Sequence, residues 1–481
     1  MTAEKGPVAG PGLFVALDRS SELPLHEQIE RSLREQIRGG RLEPGSALPS
    51  TRGLADELGV SRGVVTEAYG QLAAEGYLTT SQGAPVRVAT AVRAAAARPA
   101  ATSLARSFPY DFRADQPDLA GFPREAWLRS LRVAVRDSPL AALGYPDPRG
   151  APELREALAG YLGRVRGADA EPEHVVVCTG FMQGLSLLCR ALRAHGVERI
   201  AVEEPGWHTH RLIVEQSGLE VVVVPVDGGG LRIDALAESD AAAVIVTPAH
   251  QFPTGVVLGP ERRAALIEWA EEERLVIEDD YDSEYRYDRV AVGALQGLAP
   301  EHVAYVGSAS KRLAPAMRLG WMLAPSWLTW ELSACKTVED GGSEVLGQLA
   351  LADFIARGEL DRHIRRTRLR YERRREALLS ALARWLPQAV PSRASAGLFE
   401  LVRLPAGADE AALVRAAAQR GIGVEGLATH RYSATDEPGL LLGYAAMAEP
   451  AIEQGVRLLA DVAAATGVSQ SRRGRPSLQS T

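Results

Sequence analysis

The sequence predicts a chain of two parts: a small helix–turn–helix unit, then a large α/β domain with a mostly parallel sheet and a small α+β subdomain near its end. Three observations predict it. Residues 25–88 carry two or three helical patterns and a short hairpin. From about Phe108 onward, short apolar runs alternate with helical segments, the pattern of a parallel sheet covered by helices. Between them, 89–107 is Ala-rich with scattered Arg and Pro and reads as a linker. Residues 1–24, with Gly and Pro and little periodicity, read as a leader; 469–481, with Arg472, Arg473 and Arg475, reads as a disordered tail. The large domain is thereby expected over 108–468.

Composition bounds the function classes. A chain of 481 residues, 46% hydrophobic and 24% charged, is globular and long enough for one small domain and one large one. The three cysteines, Cys178, Cys189 and Cys335, are widely spaced and argue against a disulfide framework or a zinc site, so a reducing cytoplasm is the expected compartment. No apolar run approaches the roughly 18 residues of a membrane span, and the first residues lack the charged-then-apolar pattern of an export signal. The net charge of −7 requires any DNA contact to come from a local patch. Lys5, Lys311 and Lys336 are the only lysines among 54 basic residues. Coding bias that spared a few accounts for Lys5 and Lys336, whereas Lys311 has a chemical reason.

In the small unit, Leu25, Ile29, Leu33 and Ile37 recur every four residues and predict an amphipathic helix stopped by Gly39-Gly40. A Ser-capped helix follows to Leu58, then a break at Gly59, and Ser61 caps a third helix to about Glu75. Residues 76–88 read as two short strands around Gly83, a wing. With these residues in place, the segment resembles the GntR family of winged helix-turn-helix repressors. It follows their signature through Pro44-Gly45, Leu48-Pro49-Ser50, Arg52, Leu58-Gly59-Val60-Ser61-Arg62 and Ala74-Glu75-Gly76-Tyr77-Leu78. The resemblance implies that Arg52, Ser61, Arg62 and Thr66 face double-stranded DNA, with Gln82 and Gly83 at the wing tip. Physical chemistry agrees for the first three, because the start of a recognition helix points into the major groove, where Arg bonds guanine or neutralises phosphate. Against this, 25–88 holds seven Arg and eight Asp or Glu, so the unit is not a basic block and two copies are expected on the operator. Gly63 also stands where relatives carry a hydroxyl residue.

The strongest chemical signal is Gly307-Ser-Ala-Ser-Lys-Arg-Leu-Ala-Pro-Ala-Met-Arg-Leu-Gly320, directly after a predicted strand. A pyridoxal 5'-phosphate (PLP) site needs one amine for a Schiff base and several donors for a phosphate, and this stretch supplies both. Arginine cannot replace Lys311, because a guanidinium does not give up its proton.

The segment resembles fold-type I PLP-dependent transferases, the aminotransferase family, whose landmarks follow in order. Thr179-Gly180-Phe181-Met182-Gln183-Gly184 resembles the phosphate-cup turn at a helix N-terminus. Trp207 falls where a ring stacks on the cofactor, and Asp279 where a carboxylate pairs with the pyridine nitrogen. The resemblance also implies that Tyr281 reaches the phenolic oxygen and that Ser308, Ser310 and Arg318 hold the phosphate beside Lys311. Gly144-Tyr145 resembles the segment that sends a tyrosine across a dimer interface, and Arg431 matches the arginine that clamps an effector carboxylate. Each landmark alone also fits a plain helix cap or strand-end loop; their order from Thr179 to Arg431 carries the identification.

One position departs from the working enzymes. Gln251-Phe252-Pro253-Thr254-Gly255 places Phe252 where aminotransferases hold the phenolic oxygen with an asparagine. This form, with the fusion order, is similar to the MocR-type subfamily of GntR regulators, over about 25–465. The subfamily implies a cytoplasmic, PLP-dependent transcriptional regulator in which PLP or an amino compound shifts the DNA-binding units. Its targets are vitamin B6 synthesis or amino-acid and amine metabolism, and it works as a homodimer with each DNA-binding unit over its partner's large domain. Two other classes stay open on the residues alone: an active aminotransferase with an accessory DNA-binding domain, and a DNA-binding protein whose large domain only dimerises.

Overall fold

In the computed structural model, apolar periodicity becomes helix and strand close to the expected bounds. The structure describes residues 15–80, 84–90, 108–114, 116–288, 292–392, 394, 396–433 and 437–468. The chain divides between Arg106 and Ser107 into two units, each with its own core.

The first unit contains α1 (Leu25–Arg38), α2 (Thr51–Leu58) and α3 (Arg62–Ala74). Its hairpin pairs β1 (Leu78–Thr79) antiparallel with β2 (Arg87–Val88). Ser50 caps α2 by accepting from Gly53 N, and Gly59 ends it at φ 64, a left-handed turn that favours glycine. Ile29, Leu33, Val65, Ala68 and Leu72 are fully buried where these helices meet. The leader reading needs correction for 15–24. Val15 is buried in this core, Arg19 donates to Gly59 O at 2.7 Å, and Gln28 donates to the carbonyl of Asp18. The apolar Val15 and Leu17 dock the segment that precedes α1. Residues 1–14, Gln82, Gly83, most of the linker (91–107) and the tail lie outside the described residues.

The second unit opens with β3 (Tyr110–Asp111) and is built on β4 (Val175–Cys178), β5 (Arg199–Glu204), β6 (Glu220–Asp227), β7 (Gly230–Leu231), β8 (Ala243–Val246), β9 (Leu275–Asp280), β10 (Val303–Ser308) and β11 (Gly320–Leu323). The last eight form one sheet in the order β4-β11-β10-β9-β8-β5-β6-β7. β10, β9, β8, β5 and β6 are parallel neighbours, whereas β11 runs antiparallel between β4 and β10. The buried runs of Val, Ile and Ala in β4, β8 and β9 are those of strands covered on both faces. β11 is absent from the sequence expectation: a four-residue apolar run inside a signature segment carries no period of its own.

The helix Glu359–Trp385 leads to the small subdomain, whose antiparallel sheet orders β12 (Val390–Pro391), β13 (Phe399–Arg403), β16 (Gly439–Gly443) and β15 (Glu425–Gly426). β14 (Ile422–Gly423) pairs in parallel with β3, and Phe112 is fully buried in the subdomain core. The start of the unit thus completes its end. No helix among the described residues is long and apolar enough to cross a membrane.

Candidate cofactor site and DNA-binding face

Strand register assembles one end of the site. Ser308 on β10 pairs with Gly320 on β11, which pairs with Cys178 on β4, so three strand ends finish at one level. Past β4, Gly180 turns at φ 110 into the helix Phe181–Ala194. A Cβ on Gly180 would lie 3.0 Å from the Arg318 guanidinium, and one on Gly320 would lie 2.7 Å from the Gly180 Cα. The two glycines let an arginine and the amides of Phe181 and Met182 share a small space. Ser308 caps the single turn Ala309–Arg312, its Oγ accepting from Ser310 N at 3.4 Å. Helix-end amides, two hydroxyls and a guanidinium are the donor set that could hold a phosphate dianion.

Lys311 stands half-buried on that turn. Its carbonyl accepts from the Tyr285 hydroxyl at 3.2 Å. The next residue, Arg312, is buried and donates to Glu284 at 2.5 Å and to Ser308 O at 2.7 Å, with its guanidinium 5.4 Å from the Trp321 ring. Below it, Asp280 takes Arg166 at 2.9 Å and Tyr305 at 2.5 Å. A buried charged network therefore fixes the backbone that carries Lys311.

Asp279, buried at the end of β9, lies 3.2 Å from His210 Nε2. Burial pushes its carboxyl above the usual range and the His210 contact opposes that rise. The His210 ring is 5.3 Å from both Trp207 and Phe181, which are themselves 6.0 Å apart. Phe181, Trp207, His210 and Asp279 thus form one wall from the cradle to the carboxylate. A planar phosphorylated pyridine aldehyde fits this set: a cradle, an aromatic wall, a buried acid and an amine.

The Tyr281 hydroxyl lies 2.9 Å from both the carbonyl and Nδ1 of His250. Phe252, where an asparagine was expected for enzymes, turns its edge to Tyr281 with centroids 6.2 Å apart and also packs on Phe399 and His430. Glu203 is buried behind this loop, accepting from Thr247 Oγ1 at 2.6 Å and Gln251 Nε2 at 3.2 Å; burial pushes its carboxyl up to about 7.

Two expected residues are not gathered with the rest. Tyr145 is fully exposed, and Arg431 pairs with Glu437 at 3.1 Å in the small subdomain, so a carboxylate clamped there has Glu437 as its competitor. His210, His250, Asp282, Arg312 and Glu203 escaped sequence reasoning. His210 alone left a signal, three residues after Trp207 and so on one helix face with it. Lys336 is corrected as well: it is fully buried and donates to Asp340 at 2.6 Å and Ser343 at 2.8 Å, a structural reason rather than coding bias.

On the first unit, Arg52, Ser61, Arg62 and Thr66 are all exposed, opposite the buried Val65, Ala68 and Tyr69. Arg62 Nε lies 3.3 Å from Thr51 Oγ1, and Thr66 Oγ1 donates to Arg62 O at 2.9 Å. Ser61 caps α3 without a side-chain capping bond, which leaves its hydroxyl for an external partner.

Comparison with known proteins agrees with both halves. Residues 25–88 match the bacterial regulatory proteins of the gntR family, and 118–456 match aminotransferase class I and II. The chain is 31% identical to the probable rhizopine catabolism regulatory protein MocR of Rhizobium meliloti, over 93% of this chain and 95% of that one. It is 33% identical to the HTH-type pyridoxine biosynthesis transcriptional regulator PdxR of Corynebacterium glutamicum, over 90% and 94%. The second unit resembles a solved structure of LysN, the α-aminoadipate aminotransferase of Thermus thermophilus, complexed with N-(5'-phosphopyridoxyl)-L-leucine. That likeness has 25% identity, 74% and 92% coverage and a TM-score of 0.67. With the recognition helix ahead of the aminotransferase fold and relatives matched along nearly their whole length, the chain belongs to the MocR-type subfamily of GntR transcriptional regulators.

Proposed function

We propose that this regulator reads PLP, or an amino compound that meets PLP at Lys311, and alters its hold on operator DNA in response. The observation that supports the reading most is the anchored turn that carries Lys311, which follows the strand end paired with Gly320, itself packed against Gly180. The relative named as a pyridoxine biosynthesis regulator favours vitamin B6 synthesis over amine metabolism as the controlled process.

When bound, PLP supplies an aldehyde that condenses with amines and a pyridine ring that draws electrons. The chain's residues do the rest. Ser308, Ser310, Arg318 and the amides of Phe181 and Met182 hold the phosphate. Trp207 covers one face of the ring, and Asp279, oriented by His210, keeps a proton on the ring nitrogen. Tyr281 directs its hydroxyl at the phenolic oxygen. Phe252 offers that oxygen no donor, so the site favours recognition over turnover. Arg431 exchanges Glu437 for an effector carboxylate. Tyr145, fully exposed beside the exposed Leu140 and Leu143, reaches the site of a second copy in a homodimer. Arg52, Ser61, Arg62 and Thr66 bind the operator, with Gln82 and Gly83 at the wing tip. Regulation follows if the ligand binds two arrangements of the dimer with different affinity.

The test is a gel shift on DNA flanking the protein's own gene, with PLP and candidate amines titrated in, alongside borohydride fixation and peptide mapping. Operator affinity is expected to change with PLP, and the fixed label is expected on Lys311. A chain that stays unlabelled in excess PLP overturns the reading; pyridoxamine phosphate forming at turnover rates from amino acids supports an aminotransferase instead.

A further inference from the structure

His250 is buried at the centre of a polar arrangement that the reading above leaves unused. Its Nδ1 lies 2.9 Å from Asp282 Oδ2 and 2.9 Å from the Tyr281 hydroxyl, and that hydroxyl lies 2.9 Å from the carbonyl of His250 itself. A carboxylate only accepts, so Nδ1 carries the ring proton. The Tyr281 oxygen then accepts from Nδ1, and its own proton is given to the His250 carbonyl. His250 Nε2 is buried and has no hydrogen-bond partner among the described residues. Two glycines close on the ring: a Cβ on Gly255 would lie 3.3 Å from Nε2, and one on Gly397 would collide with Cε1 and Nδ1. The ring is fixed in place by its surroundings, and its one proton is spent on Asp282 and Tyr281.

We propose that Asp282 and His250 are positioning residues that hold the Tyr281 oxygen from behind and aim its O–H as a single donor. That donor turns from the His250 carbonyl to the phenolic oxygen of PLP; the proposal rests on the cofactor reading above. Accepting an N–H that is itself bonded to a carboxylate polarises the tyrosine O–H and strengthens it as a donor. Asp282, Asp279 and Glu203 are the acidic groups facing Tyr281, and with burial they hold its hydroxyl well above its ordinary range, so it stays protonated. The cation on the same loop is Arg286, committed to Ala249 O at 3.2 Å and to Asp288. A strong donor at the phenolic oxygen stabilises its anion and lowers the pH at which the bound chromophore titrates.

The experiment is a pH titration of the visible absorbance of the full chain loaded with PLP. It compares the natural protein with His250→Gln and Asp282→Asn, each made with Tyr281 and with Tyr281→Phe. Either single variant is expected to raise the apparent pKa by about one pH unit, and neither is expected to raise it further once Tyr281 is phenylalanine. Circular dichroism controls for folding, and the two variants sit on different loops, so one carries the test where the other fails to fold. An unmoved pKa in a folded, coloured variant overturns the proposal, as does an equal rise in the Tyr281→Phe background. A natural protein that shows no visible band with excess PLP fails at the cofactor reading itself, a separate outcome.

Discussion

Lys311 and Lys336 are two surviving lysines with different physics. Lys336 is a buried ammonium paired with Asp340, while Lys311 keeps an amine where a guanidinium has no use. Lys311→Ala and Lys311→Arg are both expected to abolish the borohydride-fixed label and the visible band while leaving the circular dichroism unchanged; persistence of the band in Lys311→Arg would place the amine elsewhere. Glu203 gives a prediction in pH. Its carboxyl rises from an ordinary 4.5 to about 7 on burial, so between those values the folded state binds the extra proton. Its contribution to stability is complete below about 4.5 and is lost as the pH climbs through 7. Glu203→Gln is therefore expected to flatten the fall in stability between pH 4.5 and 7, by up to roughly 3 kcal/mol across the window. Glu278, also raised to about 7 by burial, leaves part of the slope in place. Urea midpoints at several pH values read the difference.

At the scale of the element, the recognition helix α3 depends on how its start is set. Gly59 takes φ 64 to end α2, and a side chain there adopts a left-handed backbone at a cost of about 1 kcal/mol. Gly59→Ala is expected to lower the stability of the first unit by that amount, measured by thermal unfolding. Arg62 is exposed at the first position of α3, its side chain bonded to Thr51, so Arg62→Ala would remove the proposed groove contact without disturbing the core. Operator binding is expected to weaken about tenfold or more, with the PLP absorbance unchanged. Normal binding by Arg62→Ala in a gel shift would show that α3 is not the reading helix.

The molecule as a whole exposes an apolar segment: Leu140 and Leu143 are 88% and 62% exposed and Tyr145 fully so. Such a run on a folded surface calls for a covering partner, and the proposed cover is a second copy of the chain. Leu143→Asp is expected to shift sedimentation toward the monomer and to weaken operator binding with it. A dimer that survives the change would put the interface elsewhere.

How much was legible in advance follows from the range of the forces. Periodicity and capping are local, so the alternation of strands and helices from Phe108 onward and the helices of the first unit were readable from their own residues. Lys311, Asp279 and the turn at Gly180 stood out as candidates because few residue types can do the chemistry proposed for them. The sequence by itself determined the two-part organisation and singled out the residues proposed here as the amine and its phosphate cradle. Tertiary structure alone decided that β11 runs antiparallel between β4 and β10, and that Phe112 completes a core built more than 250 residues later. It also decided that His250 and Asp282 stand behind Tyr281. Hydrogen bonds and burial between residues far apart in the chain leave no period in it, so these pairings exist only once the sheet has closed.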